Sequence, residues 1–188
     1  MSYWQIRLAG EGGQGLILAG IILAEAAAIH EGKNAVQTQS YGPESRGGAS
    51  KSEVIISDDE IDYPKVTVPD VLLVMTQVAC DKYAKDIAQG GVLIVDAGLV
   101  KRLPDIDAKV VSSPITETAI ACSGKAIVAN IVALGLLVEL TGIVSPGACE
   151  KAVLARVPAG TEQLNKKALE AGYALARYAV PDHREGGR

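Results

Sequence analysis

Phenylalanine is absent from the 188 residues, tryptophan occurs once and tyrosine six times. A core with so few rings must be filled by Ala, Val, Leu and Ile in close packing, which suits helices lying tightly on a sheet. Cysteine is scarce as well: Cys80, Cys122 and Cys149 are odd in number and far apart, and no Cys-x-x-Cys occurs. That pattern argues against a disulfide framework and points to reduced thiols in a cytoplasm, behaving as small hydrophobes. His30 and His183 are the only histidines, so the chain lacks the ligand set of an iron–sulfur cluster or a typical zinc site, and no metal is expected on it alone. Lys and Arg form no cluster, and a net charge of −4 with pI near 5.2 makes nucleic acid and anionic membranes unexpected partners. The segment Met1 to Arg7 has neither the basic flank nor the cleavable apolar stretch of a signal peptide. The longest apolar run, Ala126 to Val138, is bounded by Lys125 and Glu139. As a helix it would rise ~20 Å, short of the ~30 Å hydrocarbon core, so it reads as a buried helix.

What is present is ample apolar material: 48% hydrophobic against 21% charged residues, with mean hydropathy +0.22. The length fits one domain, expected over residues 1–180 with a polar tail at 181–188. The apolar excess also predicts that the isolated chain self-associates.

Strand and helix signals alternate from the start. Trp4 to Ala9 reads as a strand, Leu16 to Glu31 as a long Ala/Ile/Leu helix, and Ala35 to Ser40 as a second strand. A polar, glycine-rich loop fills Tyr41 to Gly48, and Lys51 to Ser57 supplies another strand. Val71 to Met75 and Val92 to Val95 are continuous apolar runs of the kind found in parallel strands covered on both faces, with a helix from Val78 to Ala88 between them. Lys109 to Ser112 adds one more strand. Ser113-Pro114 and Ser145-Pro146 each place a hydroxyl before a proline, the signature of an N-cap followed by the first helical position, and the second helix is expected over Pro146 to Arg156. Lys125 to Thr141 is apolar nearly all round, stops at Gly142, and must be covered by sheet, helix or another subunit. Leu164, Ala168, Ala171, Leu175 and Tyr178 form a one-sided helical stripe. The expected fold is an α/β open, mostly parallel, doubly wound sheet with helices on both faces, Rossmann-like.

Gly10-Glu11-Gly12-Gly13-Gln14-Gly15 satisfies G-x-G-x-x-G between a strand and a helix whose free N–H groups can hold an anion. A dinucleotide site would also need an acid at the carboxyl end of the second strand to grip the ribose. That strand ends Gln37-Thr38-Gln39-Ser40, and Glu31 precedes it, at the wrong end of the sheet, so NAD is disfavoured. Two readings stay open: anion binding, or glycines that only let strand, helix and a partner surface approach closely.

Tyr41, Gly42, Pro43, Glu44, Ser45, Arg46, Gly47 and Gly48 form a loop too rich in functional side chains to be explained by turn-making alone. In an open parallel sheet this loop and Gly10 to Gly15 are expected to line one crevice. Arg46 offers a planar fork of donors to phosphate or carboxylate, Tyr41 a ring for stacking, and Glu44 a partner for a cation. The alternative is a solvated loop with an Arg46–Glu44 pair that contributes almost nothing. Thr76 and Gln77 either extend the crevice or cap the next helix, and Asn130 needs a hydrogen-bond partner, in this chain or another. His30 reads as a helix C-terminal residue facing the dipole.

Taken together, the two loops, Asp70-Val71-Leu72 and the Asn130-containing Ala-Leu-Gly helix resemble the gamma subunit of 2-oxoacid:ferredoxin oxidoreductases, over nearly the whole chain and most in its 2-oxoglutarate branch, with the pyruvate and ketoisovalerate branches next. The resemblance implies a cytoplasmic complex of anaerobic metabolism that oxidatively decarboxylates a 2-oxoacid with thiamine diphosphate and CoA, giving acyl-CoA, CO2 and reduced ferredoxin. This chain has no Gly-Asp-Gly run with a downstream Asn for magnesium diphosphate and no cysteine set for a cluster. Thiamine diphosphate, Mg and the iron–sulfur clusters are therefore expected in alpha, beta and delta subunits, and ferredoxin meets this chain only indirectly. Its own share is expected to be assembly and positioning of CoA, with Gly10, Gly12, Gly13, Gln14, Gly15, Tyr41, Gly42, Pro43, Glu44, Arg46, Gly47 and Gly48 as the contact set and no catalytic residue. The rivals are a purely structural subunit without ligand and a stand-alone nucleotide- or flavin-binding reductase.

Overall fold

In the computed structural model, which describes residues 2–40 and 49–179, six strands form a single sheet in the order β2-β3-β1-β4-β5-β6. In chain order the elements are β1 (Tyr3–Glu11), α1 (Leu16–His30), β2 (Asn34–Ser40), β3 (Ala49–Ser57), β4 (Val71–Val74), α2 (Gln77–Tyr83), β5 (Gly91–Asp96), β6 (Ala108–Ser113), α3 (Ile115–Ser123), α4 (Ala129–Thr141), α5 (Pro146–Arg156) and α6 (Glu162–Tyr178). β1, β4, β5 and β6 are mutually parallel, and β3 runs antiparallel to both β1 and β2. The sheet is thus Rossmann-like but mixed. β3 lies between β1 and β2 and pairs antiparallel with both, so the sheet departs from the mostly parallel arrangement expected for consecutive strands.

Helices cover both faces unequally. Ile6, Leu8, Val54, Ile56, Leu73 and Ile94 point into the larger core, where α1, α3, α4, α5 and α6 lie. Leu72, Val74, Leu93 and Val95 point the other way, against Ala79, Cys80 and Tyr83 of α2. Alternate side chains of the same buried strands thus feed two cores, which is why those strands read as unbroken apolar runs.

Small residues set the closest contacts, as the shortage of rings requires. A Cβ on Gly172 would lie 2.2 Å from the Val132 carbonyl oxygen, and one on Gly135 would lie 2.4 Å from that of Leu169. The backbones of α4 and α6 therefore touch. This contact, together with α3, covers the all-apolar α4 within the chain.

Ser145 caps α5 as expected, its Oγ accepting from the Ala148 N–H at 3.2 Å, with Pro146 at the first position. Ser113 does not cap α3: it remains the last residue of β6, and Pro114 itself stands at the cap with no side-chain bond. The 125–141 segment begins as a 3-10 turn at Ala126–Val128 before α4, and the helix expected to reach Ala88 ends at Tyr83, followed by a 3-10 turn at Ala84–Asp86. On α6 the buried face is Asn165, Ala168, Leu169, Gly172 and Tyr173, while Tyr178 is exposed. The expected stripe is rotated by about one residue, because Gly172 at the α4 crossing sets the face.

Candidate functional site

The site lies where the chain changes sides of the sheet. α1 leaves β1 toward β3 and β2 on one face, and α2 leaves β4 on the other, so the carboxyl ends of β1 and β4 border the switch point at which open α/β sheets take ligands.

The six-residue glycine motif divides in two. β1 continues through Gly10 and Glu11, the chain turns at Gly12 and Gly13 with Gln14 N–H donating to the Glu11 carbonyl at 3.2 Å, and Gly15 opens α1. Gly15 sits at φ +74, and a Cβ there would lie 2.6 Å from Asn130 Nδ2, which donates to the Gly15 carbonyl at 3.0 Å. Gly10 faces Gln14 Oε1 and Leu16 with no room for a side chain. Gly10 and Gly15 are therefore required by packing. Gly12 and Gly13 have nothing within 4 Å of a would-be Cβ and are exposed, with Gly13 at φ +93.

Two amides brace this turn. Gln14 Oε1 accepts from the Glu11 N–H at 2.8 Å, and its Nε2 donates to the Met75 carbonyl at 3.3 Å, tying the ends of β1 and β4 together. Asn130, reaching from α4, is buried and finds its partner in this chain. Among the described residues no side chain caps α1, whose N-cap position is Gly15.

Tyr41, Gly42, Pro43, Glu44, Ser45, Arg46, Gly47 and Gly48 lie outside the described residues. The ends of that segment are fixed, however: Ala49 pairs with Glu11, Ser50 with Gly10, and Ser40 with Lys51. The connection thus leaves and re-enters the sheet beside the glycine turn. The physical cause differs from the expected one, since these are a hairpin connection and a βα turn sharing the β3–β1 ladder rather than two βα loops of adjacent parallel strands.

Other residues sort plainly. Thr76 caps α2, its Oγ1 accepting from Ala79 N–H at 3.2 Å, and Gln77 spends its amide on Asp81 and on the main chain of Lys101 and Arg102. Neither is free to extend the crevice. Glu31 accepts from the Ser145 N–H at the opposite end of β2, so it braces α5 and cannot serve as a ribose acid. Asp96 is fully buried, with Oδ1 accepting from Gly98 N–H at 2.8 Å and Oδ2 from Thr116 N–H at 2.8 Å, which closes the β5 turn onto α3. Apolar side chains stand exposed near this edge: Val78 in the first turn of α2, Leu99 just past β5, and Ile127 three residues before Asn130.

One cluster was missed from the sequence. Arg7, buried in the middle of β1, donates Nε to Glu53 at 2.7 Å and Nη1 to Asp86 at 2.5 Å, and lies 5.2 Å from the Tyr83 ring centroid. Lys51 reaches the same Glu53 oxygen at 2.9 Å. An arginine between Ile6 and Leu8 in an apolar strand was the available signal. The cysteines are free, Cys80 and Cys149 buried and Cys122 partly so, and burial pushes the Cys149 thiol up to about 12. Among the described residues, no group of three or more His, Cys, Asp or Glu stands close enough to hold a metal ion, and no helix is long and apolar enough to cross a membrane.

A strand–glycine turn–helix at a switch point of a mixed sheet defines a Rossmann-like protein, and among the described residues no acid at the carboxyl end of β2 takes the ribose-binding place. The family model described as pyruvate ferredoxin/flavodoxin oxidoreductase matches residues 5–175. A 2-oxoglutarate synthase subunit KorC from Methanocaldococcus jannaschii is 54% identical over 175 residues, covering 92% of this chain and 94% of that protein. The crystal structure of a keto/oxoacid ferredoxin oxidoreductase gamma subunit from Geobacter sulfurreducens superimposes with TM-score 0.88 at 55% identity, over 95% of this chain and 99% of that one. A 2-oxoglutarate:ferredoxin oxidoreductase from Magnetococcus marinus, solved with 2-oxoglutarate, coenzyme A and succinyl-CoA bound, gives TM-score 0.84 at 25% identity over 96% of this chain and 32% of that chain. The chain belongs to the pyruvate ferredoxin/flavodoxin oxidoreductase family. Within it, the chain is a gamma subunit, matching the 2-oxoglutarate synthase branch.

Proposed function

We propose that this gamma subunit serves a complex that converts 2-oxoglutarate and CoA to succinyl-CoA and CO2, passing two electrons to ferredoxin, and that its carboxyl edge receives the CoA diphosphate where the catalytic subunits close over it. Thiamine diphosphate supplies the decarboxylation chemistry and iron–sulfur centres the electron path, both on alpha, beta and delta subunits in this reading. The gamma chain binds and positions: the turn amides of Gly12 and Gly13 and the uncapped start of α1 face the diphosphate, while Arg46 and Tyr41 of the neighbouring loop hold phosphate and ring. Exposed Val78, Leu99 and Ile127 give the same edge an apolar rim for the subunits that complete the site.

The observation that carries this reading is the division of the glycine motif. Packing accounts for Gly10 and Gly15 and the left-handed turn for Gly13, whereas neither accounts for Gly12; the bare backbone of Gly12 and Gly13 faces open space beside the anchored ends of the 41–48 segment. The relative solved with CoA and succinyl-CoA supports the ligand class. The test is steady-state kinetics of the reconstituted complex carrying Arg46→Ala: a raised KM for CoA, with the KM for 2-oxoglutarate and the complex mass unchanged, is expected. Unchanged CoA kinetics in an intact complex refutes the positioning role and leaves the rival, a ligand-free assembly subunit.

A further inference from the structure

At the end of the sheet remote from the parallel core, β2 is an edge strand with no described element beyond it. Edge strands are ordinarily guarded by charges, proline, bulges or a covering segment, since their free N–H and C=O groups template pairing with another chain. The other edge follows that rule, with the exposed Lys109 on β6. The seven residues of β2, Asn34-Ala35-Val36-Gln37-Thr38-Gln39-Ser40, contain no charge and no proline, and they pair with β3 in unbroken register without a bulge. Among the described residues, nothing defends this edge.

Beside it runs an apolar groove of about 510 Å³, floored by Ile21, Ala24, Ala28 and Ile29 of α1 and by Ala35 of β2. Ile29 is 71% exposed, although α1 is otherwise a core helix. The polar margin of the groove is an internal pair, Glu25 with Arg156, so it carries no net charge to select an acidic or basic partner.

We propose that this edge and groove form the interface between two copies of this chain, joined by antiparallel pairing of β2 with β2 about Gln37. That register sets Val36 opposite Thr38 of the second copy, Ala35 opposite Gln39 and Asn34 opposite Ser40. Every pair is neutral, so the strand is its own complement, as an isologous two-fold contact requires. The groove is apolar and its one charged pair is internally neutralised, so edge and groove together suit an uncharged strand flanked by an apolar helix face, which a second copy of β2 and α1 supplies. The two-fold axis lies perpendicular to the sheet, keeps both α1 helices on one face and joins the two grooves over the junction. The contact is at the opposite flank from β4–β6 and leaves the glycine turn uncovered.

The test uses the full chain. Sedimentation equilibrium is expected to give a dimer that Gln39→Lys and Ile29→Lys, both at exposed positions, each weaken roughly tenfold or more. Unchanged far-ultraviolet circular dichroism spectra, with melts that remain cooperative, would confirm that these variants fold. In a Cys122→Ser background, Gln37→Cys is expected to give a covalent dimer on mild oxidation, because only the two-fold register brings residue 37 against itself. A monomer at all concentrations, a dimer indifferent to both lysines, or no cross-link at residue 37 overturns the proposal. So does a monomeric chain whose Gln39→Lys variant fails to enter the multi-subunit complex, since the edge would then belong to a different subunit.

Discussion

The side-chain amide of Asn130, on α4, donates to the main-chain carbonyl of Gly15 at 3.0 Å, joining residues 115 apart in sequence at the first turn of α1. Through this bond the most buried helix of the molecule fixes the position of the glycine turn. Asn130→Ala is expected to cost about 1–3 kcal/mol, since it strips the Gly15 carbonyl of its partner and leaves a void. Gly15→Ala meets the same amide and a left-handed backbone. Urea denaturation should show the double variant less destabilised than the sum of the singles, because both act on one contact. Additive losses would mean the two residues are not coupled.

The α4–α6 crossing makes a sharper prediction. At Gly172 and Gly135 the atoms that a methyl group would strike are backbone, not the ends of flexible side chains, so the helices must separate. Gly172→Ala should therefore destabilise by about 3 kcal/mol or more, although alanine is the better helix former by roughly 1 kcal/mol. At exposed Gly12, with open space around it, Gly→Ala should change the midpoint of unfolding little.

Arg7 sits between two acids and a ring with almost no solvent. Arg7→Ala leaves Glu53 with Lys51 alone and is expected to cost about 3–5 kcal/mol. Arg7→Lys should rescue little, because one ammonium cannot serve Glu53 and Asp86 in the directions the guanidinium does.

Thiol chemistry tests the burial of the two cores. In the native protein a soluble thiol reagent should label Cys122 first, with Cys80 and Cys149 reacting only on unfolding. Burial holds the Cys149 thiol protonated to about pH 12, against 9.0 when unfolded. The unfolded chain loses that proton first, so the stabilising contribution is complete below pH 9.0 and is lost as pH rises toward about 12. The expected slope is about 1.4 kcal/mol per pH unit, and Cys149→Val should flatten it.

Much of this architecture was legible in the sequence because apolar runs and caps are local signals. Val71 to Met75 and Val92 to Val95 read as covered parallel strands, the first ending one residue earlier in the structure, at Val74, and Ser145-Pro146 marked α5 to the residue. The direction of β3 was not legible: a hairpin and a crossover differ in what the chain between the strands does, and the glycine-rich 41–48 segment fits either. Ser113-Pro114 misled because the same dipeptide can end a strand, and the hydrogen bonds of β6 outweighed a cap. In the candidate site, the glycine motif was visible as a spacing, but its division into packed and open halves depends on Asn130, Gln14 and Met75, which tertiary structure alone brings to it. The Arg7 cluster was hidden for the same reason, drawing on β1, β3 and the turn after α2.

Hydrogen–deuterium exchange on the reconstituted complex, with and without CoA, reads out amide by amide whether the glycine turn meets the ligand. Adding CoA is expected to slow exchange at the amides of Gly12 to Leu16 and in the 41–48 segment, beyond the protection that subunit assembly alone confers. Exchange at those amides that is indifferent to CoA, while CoA protects a partner subunit, would contradict it.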